Sequence, residues 1–393
     1  MKIHHRLRTK LIAIFFIVTV IPALVTGIYA IQVSSKTLRT QALTTQTEQA
    51  KTLANQVTSF LTTVKGDLIF LSQSPVMKDY LNQRANSESP ETILEPKRQA
   101  IEQEFLAFSR NRRIYYQIRY LDETGQEIAR VDSNGLRSRI IQRDKLQDKS
   151  GRYYFKKTIR LLGSEVFVSP LDLNRERGQI EKPFKPVIRY AVNVFDNRNR
   201  KAGIVIINVD ASQFIKPLGN THLVNQNGYF INHPVPEKRW GGPVDLDTGY
   251  NLEREYHQWP QIILDQEGIL SSSRLTLSYK RVNIPGTSRY WTVIIQRDTD
   301  DILKSVRAFR IMFTVILILA VLIALIVGWL LSVRITRPIE QLTRIADAIS
   351  KGELISNSVE IQDKGEIGQL AHAFERMRVS MIKAFERLRQ QST

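Results

Sequence analysis

Between Arg137 and Arg160 the chain places Arg143, Lys145, Lys149, Arg152, Lys156 and Lys157, with few acids among them. An arginine can hold a carboxylate through two parallel hydrogen bonds, and such charge-assisted pairs are stronger than neutral ones. Tyr153 and Tyr154 follow Arg152 directly and add hydroxyl donors and apolar walls. The chemistry these residues suit is capture of an anionic small molecule such as a carboxylate. Arg152 is the expected anchor, helped by Arg119 or Arg189. Catalysis has much less support. There is no cysteine, so thiol nucleophiles, disulfides and zinc-thiolate sites are excluded. Six histidines are scattered, with neither an HExxH nor a GxSxG motif. Asp172 and Glu181 flank one loop, but paired acids alone specify no reaction. The reading is a binding protein and not an enzyme, with no cofactor and no metal.

The 393 residues carry a formal charge of +18, most of the excess lying in the central region. A basic domain suits nucleic acid, anionic lipid or anionic small molecules. Two apolar runs decide among these. Residues 11–31 and 311–333 hold no charge and are each long enough to cross a bilayer core, which takes about 20 residues. The first is longer than the usual apolar stretch of a cleaved signal peptide. Residues 1–10 are purely basic, carrying Lys2, Arg6, Arg8 and Lys10. Basic flanks stay in the cytoplasm, so both termini are expected there. Residues 32–310 then lie outside, periplasmic or extracellular, which removes nucleic acid as a partner. The location expected is the cell inner membrane, with two spans.

After the second run, Pro338 stands at a helix start. Ile339, Leu342, Ala346 and Ile349 repeat at three and four, and Gly352 is the expected stop. A connector containing Val359 and Ile361 leads to Glu366, Ile367 and Gly368. Leu370, Phe374, Met377, Met381, Ala384 and Leu388 then make a second apolar seam. Two such short amphipathic helices cannot stay folded alone. Two copies from two chains would make a parallel four-helix bundle. This pattern over residues 334–386 resembles a HAMP domain, the signal-relay module of bacterial receptors, with residues 387–393 as a coiled-coil tail. The resemblance implies relay roles for Pro338, Ile339, Leu342, Ile349, Glu366, Ile367, Leu370, Phe374 and Met377. His372 lies on the second helix, but "HAFERM" replaces the Glu-Leu-Arg and Pro expected after a phosphorylated histidine.

The outer region opens helically, with Ala50, Leu53, Val57, Phe60 and Val64 repeating at three and four. Such a helix can pack on its own domain, pair with a twin, or both. Strand signals begin at Ile114. "YYQIRYLDETGQEIARVD" and "PVIRYAVNVFDNRNRKAGIVIINVD" read as hairpins and "EVFVSPLDL" as a further strand. "HLVNQNGYFINHP" and "ILSSSRLTLSYKRVNIPGTSRYWTVIIQRD" repeat the layout in smaller form. Asp298 to Asp301 are placed to start the helix that enters the second span. The fold class expected is α+β. Two PAS-like sheets behind a long helix resemble the double Cache sensor domain found ahead of HAMP in sensor histidine kinases, diguanylate cyclases and chemoreceptors. The stretches that carry this are "YYQIRYLDETGQEIARVD", "LQDKSGRYYF", "EVFVSPLDLN", "GQIEKPFKPVIRY" and "FDNRNRKAGIVIIN". A distal module would span about 65–215 and a proximal one about 216–298. The resemblance implies ligand binding in the distal sheet. Arg152, Tyr154 and Phe155 stand in the frame of an amino-acid-binding signature, with Tyr where that signature has Trp. Asn208 stands where the family's acid is expected, which removes the partner for an α-ammonium group. The candidate ligand set is Arg119, Arg152, Tyr153, Tyr154, Asp172, Arg189 and Asn208.

The whole reads as a transmembrane receptor, dimeric through a parallel copy of itself, that senses an extracytoplasmic molecule. Its signal would reach a cytoplasmic output protein, or an output domain missing from these 393 residues. The alternative is a membrane-anchored ligand-binding or scaffold fragment with no output of its own.

Overall fold

The computed structural model describes residues 4–86, 90–176, 178–351 and 365–391. Met1 to Ile3 of the basic arm, the expected stop Gly352, and Val359 and Ile361 of the connector lie outside the described residues, as does the side chain of Leu388. The chain forms two compact units. One combines residues 1–40 with 303–393, and the other holds residues 41–302. Helix α1 (His4–Ser72) contributes to both.

In the larger unit the last part of α1 buries Ala50, Ala54, Val57, Leu61, Val64, Leu68 and Leu71. These alternate four and three apart, a heptad seam. From Ala54 onward the seam belongs to the domain's main core, with Leu53 and Phe60 on its flank. The stripe legible in the sequence is thus covered within the chain, and a twin pairing along α1 would have to use another face. Each fully buried leucine here contributes roughly 1.5–3 kcal/mol. Helices α2 (Pro75–Arg84) and α3 (Glu91–Arg112) complete this layer.

The helices cover one face of a seven-stranded antiparallel sheet. Its strands are β1 (Tyr115–Leu121), β2 (Glu127–Ser133), β3 (Ser138–Ile140), β4 (Val166–Val168), β5 (Asp172–Leu173), β8 (Pro186–Phe195) and β9 (Lys201–Asp210). They run in the order β3-β2-β1-β9-β8-β4, with β5 also on β8. A small hairpin, β6 (Arg175–Glu176) with β7 (Gln179–Ile180), lies between β5 and β8 in sequence. Alternation sends Ile118, Tyr120, Ile188, Tyr190, Ile207 and Val209 to the helix side. The opposite face is left to polar residues and to the short helix α4 (Tyr153–Thr158). A smaller apolar cluster there joins Tyr154 and Phe155 of α4 to Leu121, Ala191, Ile204 and Ile206.

The second sheet is five-stranded, with order β11-β10-β14-β13-β12. Its strands are β10 (His222–Asn225), β11 (Phe230–Asn232), β12 (Gly268–Ser271), β13 (Leu275–Asn283) and β14 (Tyr290–Asp298). Short helices α5 (Ser212–Ile215), α6 (Leu252–Glu255) and α7 (Pro260–Asp265) flank it. The expected hairpins all form, while α2 and α3 carry no assignment in the sequence reading.

In the other unit, residues of α1 and helix α8 (Thr299–Leu331) supply two stretches long and apolar enough to cross a membrane. They approach closely at glycines. A Cβ on Gly27 would lie 3.3 Å from Leu317, and one on Gly328 would lie 3.0 Å from Phe15. Asp300 and Asp301 occupy the first turn of α8, as the sequence suggests. A π-helical stretch, Ser332–Thr336, separates α8 from α9 (Arg337–Ser350), and α10 (Glu366–Gln391) follows. Leu342 is buried, whereas Ile339, Leu370 and Met377 remain 38%, 46% and 40% exposed in the single chain. Ile349, Ile367 and Phe374 are half-buried and Glu366 is exposed. Pro338 opens α9 at its tolerated position.

Candidate ligand-binding site

The polar face of the first sheet is organised by strand register. Arg139 on β3 lies opposite Asp132 on β2, and Asp132 opposite Gln117 on β1. Gln117 faces Asn208 on β9, and Asn208 faces Arg189 on β8. Five residues far apart in sequence thus form one rung across five strands. The next rung brings Arg130 opposite Arg119. Directly opposed residues share a face, so these side chains converge.

The segment Gln147–Arg152 closes over this face. Lys149 N donates to Gly125 O at 2.8 Å, and Glu127 N donates to Gln147 O at 3.1 Å. Gly125 has φ +94°, and a Cβ there would come within 2.6 Å of Ser150 Cα, so only glycine lets the segment settle on the β1–β2 turn. The result is a cavity of about 480 Å³, within the usual range for small-ligand sites. Six cations reach it, Arg119, Arg130, Lys149, Arg152, Arg175 and Arg189, against the single carboxylate of Asp148.

Three of these cations already have internal anions. Arg119, 3% exposed, donates to Glu127 Oε1 at 3.3 Å, to Tyr154 OH at 3.1 Å and to Asn208 Oδ1 at 3.0 Å. Arg189 donates to Asp172 Oδ1 at 2.9 Å, to Asn174 Oδ1 at 3.1 Å and to Tyr153 OH at 3.4 Å. Arg130 makes a two-point contact with Asp132, at 2.8 Å on each oxygen. Among the described residues, Lys149, Arg152 and Arg175 have no such carboxylate. Lys149 Nζ donates to Gln147 Oε1, and Arg175 bonds the carbonyls of Gly178 and Val244 at 3.1 and 2.9 Å. Arg152 is exposed at the rim, with no side-chain partner among the described residues.

The field of these groups is visible in their neighbours. Burial alone would raise the Tyr154 phenol, but Arg119, Lys149 and Arg152 outweigh it and hold the phenol below its ordinary value. Burial, reinforced by Arg119 and Arg130, holds the Lys149 ammonium below its ordinary value despite Glu127. Asp148 is held down by the Ser150 amide and hydroxyl, at 2.8 and 3.0 Å, so its lone pairs are partly spent. The cavity is therefore a positive pocket that no internal anion fully balances.

All seven sequence-derived candidates lie in or beside this region. Arg119, Arg152, Tyr154, Arg189 and Asn208 line the cavity, while Tyr153 and Asp172 stand behind Arg189. Their roles differ from the expectation in one respect. Arg119 and Arg189 are buried and paired within the protein, and Arg152 is the uncommitted one. Sequence reasoning passed over Gln117, Glu127, Arg130, Asn174 and Arg175. The alternation around Ile118 and Tyr120 could have found Gln117, and the R-V-D spacing on β2 could have found Arg130.

A second polar cluster lies on the second sheet. His222, His233 and Glu255 each offer one atom within 4.8 Å of the others. Val235 N donates to His233 Nδ1 at 2.9 Å, which puts the ring proton on Nε2, facing Glu255 Oε1 at 3.6 Å. The other Glu255 oxygen accepts from Lys238 at 2.7 Å and from Tyr250 at 2.5 Å. His233 thus has no lone pair to give a cation, and its Nε2 and the Nδ1 of His222 are buried with no hydrogen-bond partner among the described residues.

A family model for the sensor domain of bacterial histidine kinases matches residues 40–295. The chain belongs to this family of histidine kinase sensor domains. A HAMP-domain model matches residues 330–390, so the sensor carries both the input and the relay module of a transmembrane receptor. Among solved structures, the sensor is similar to a domain of a sensory box/GGDEF family protein from Vibrio parahaemolyticus. The identity is 20% and the TM-score 0.58, over 67% of this chain and 99% of that one. It is equally similar to the extracellular domain of the histidine kinase vpHK1S-Z8, at 20% identity and TM-score 0.58, over 69% of this chain and 96% of that one. Those likenesses concern the fold. No curated protein matches the sensor.

Proposed function

We propose that the sensor is a double Cache receptor of the inner membrane that binds a small extracytoplasmic anion, such as a carboxylate, on the polar face of its first sheet. The observation that carries this is the cavity in which six cations meet one carboxylate. Lys149, Arg152 and Arg175 supply the unbalanced charge, and the paired Arg119 and Arg189 shape the floor. An amino acid fits less well, because the acids near the floor, Glu127 and Asp172, are spent on arginines and Asn208 is neutral. Neither the sensor nor the HAMP region has a catalytic role in this reading, and its output is a cytoplasmic module.

The route outward from the site starts at β5. Asp172 holds Arg189, and the next amide, Leu173 N, donates to Asp245 Oδ1 at 2.8 Å in the loop before α6. Arg175 donates to Val244 O in that same loop. An anion that draws Arg175 or Arg189 toward itself competes with these bonds, and so biases the loop of the second sheet. In a parallel homodimer with both termini cytoplasmic, that bias would shift the spans and repack the HAMP seam, a bistable element with two arrangements.

The test is calorimetry with a panel of carboxylates on the full chain in nanodiscs of zwitterionic lipid. At least one should bind, and Arg152→Ala should weaken it about tenfold. Affinity unchanged by Arg152→Ala would remove Arg152 as an anchor. A scan of single cysteines through the second span, clean because the chain has none of its own, should give crosslinking that changes with ligand. Identical patterns in both states would refute the relay.

A further inference from the structure

We propose that the ligand is an elongated dianion, held by cations at both ends of a trough that runs across the sheet. The inference rests on the anion-binding reading above and adds the second charge and the span.

A second cavity, of about 630 Å³, adjoins the first. The two share Gln117, Arg130, Asn174 and Asn208 as lining, so they form one trough over the same rung. Its far end is lined by Arg137 and Arg139. Both are exposed, and neither guanidinium has a partner among the described residues. The acids at that end are already engaged. Asp132 is held by Arg130 on both oxygens, and Glu181 is held by Lys185 and by Asn174 Nδ2 at 2.9 Å. The trough thus has uncommitted cations at each end, Lys149 and Arg152 at one and Arg137 and Arg139 at the other. Between them lie the amides of Gln117, Asn174 and Asn208 and the mutually paired Arg130 and Asp132, which suit a polar and uncharged middle.

Register sets the length. Arg139 lines one end, and the floor residue Arg189 marks the end where Lys149 and Arg152 stand; the two arginines are four strand spacings apart on one rung, or about 19 Å between backbones at roughly 4.8 Å per strand. Arg139 from one side and Lys149 or Arg152 from the other, each reaching inward about 5 Å, would leave roughly 9 Å, the span of a chain of about six to eight atoms. A short monoanion can occupy only one end. The shared chemistry is two anionic groups, whether carboxylate or phosphate, and dicarboxylates are the simplest probe.

The experiment is calorimetry on the full chain in zwitterionic nanodiscs with α,ω-dicarboxylates of four to ten carbons, and with monocarboxylates of equal length. Affinity should peak at an intermediate length and exceed that of the matched monocarboxylate at least tenfold. The double variant Arg137→Gln, Arg139→Gln should bring the affinity of the dicarboxylate down to that of the matched monocarboxylate. Both positions are exposed, and an unchanged melting temperature checks the fold. If monocarboxylates bind through Arg152 but the second charge adds nothing, or the double variant keeps the advantage, the dianion inference falls and the anion reading stands. If no carboxylate of either kind binds, both fall. Phosphate-terminated analogues of the best length then separate the two anion types.

Discussion

Glu127 offers the sharpest test of the electrostatics, because replacing it by glutamine should move stability and affinity in opposite directions. Its carboxylate is 1% exposed, 3.3 Å from Arg119 and 3.5 Å from Arg130, and it accepts from Gln147 N at 3.1 Å. Removing one partner of a buried ion pair costs about 3–5 kcal/mol, since the remaining charge stays buried. Glutamine keeps an acceptor for Gln147 N, which favours the lower end, about 3 kcal/mol. For a domain of this size that is a fall in melting temperature of roughly 6–12 °C. Affinity should rise. An anion touching the outer edge of Arg119 would sit roughly 6–7 Å from the Glu127 carboxylate, a repulsion of about 2.5 kcal/mol at an effective dielectric of 20. Solvent in the open cavity should cut this to about 1 kcal/mol, or roughly fivefold in affinity. Scanning calorimetry reads the first effect, and titration with the tightest-binding dicarboxylate reads the second. A Glu127→Gln sensor that loses stability and also binds the anion more weakly would refute the view that Glu127 only competes for the cavity's cations. It would make Glu127 a positioning residue for Arg119.

Other expectations follow from single features. Burial, with Asp172 nearby, pushes Asp245 up to about 6 despite the Leu173 amide. Its unfolded value is about 3.9, so its stabilising contribution is full below that and is lost as pH rises through 6. The melting temperature should therefore gain between pH 7 and 5 relative to Asp245→Asn, and equal pH slopes for the two proteins would count against it. His222 has the opposite sign. Burial and His233 hold it down to about 4, so its contribution is present above its unfolded value of about 6.5 and fades as pH falls. His222→Gln should flatten that acid-side loss, read by the same melts. Gly203 has φ +132°, and a Cβ there would stand 2.0 Å from Leu121 O. Gly203→Ala should cost several kcal/mol and yield little folded protein, whereas soluble protein with a normal melt would show that the β1–β9 crossing can relax. Leu370 is 46% exposed in the single chain, so Leu370→Asp should spare the fold and abolish the proposed dimer in analytical ultracentrifugation. Retained dimer would place the seam elsewhere.

The hairpins and the α1 stripe were legible because each is a local pattern. "DETGQ" between alternating runs needs nothing from the rest of the chain to be a turn. The α1 seam is likewise a period that any partner would reveal, but the partner itself is not in the period. The same 3-4 spacing serves a coiled coil or a domain core, and here the first sheet takes Leu61, Leu68 and Leu71. Helix α3 escaped notice because Glu95, Arg98 and Glu102, which pair along it, dilute its apolar stripe.

The site was legible only in part, and the reason is instructive about arginine. Sequence can count cations, but it cannot say which are already spent. Arg119, Arg152 and Arg189 looked alike, and Arg152 was preferred for its place in a motif. The fold separates them by register. Arg119 lies two residues before Leu121, the partner of Glu127, on the other side of a β-bulge, and Arg189 lies two residues beyond Val187, the partner of Asp172 in the β5–β8 pair. Both pairs join residues that lie on different strands. A buried guanidinium with its own carboxylate forms a rigid floor, and ligand charge must be met by groups that folding left unpaired. In the proposed site those are Lys149 and Arg152 on the closing segment, Arg175 on β6, and Arg137 and Arg139 on the β2–β3 edge. Arg137, Arg139 and Arg152 are exposed and Lys149 is half-buried, positions where sequence reasoning would place an ordinary charged surface. In the proposed site, selectivity would therefore rest with the uncommitted rim, and substitutions there should retune the ligand with little cost to the fold, whereas substitutions in the paired floor should cost the fold first.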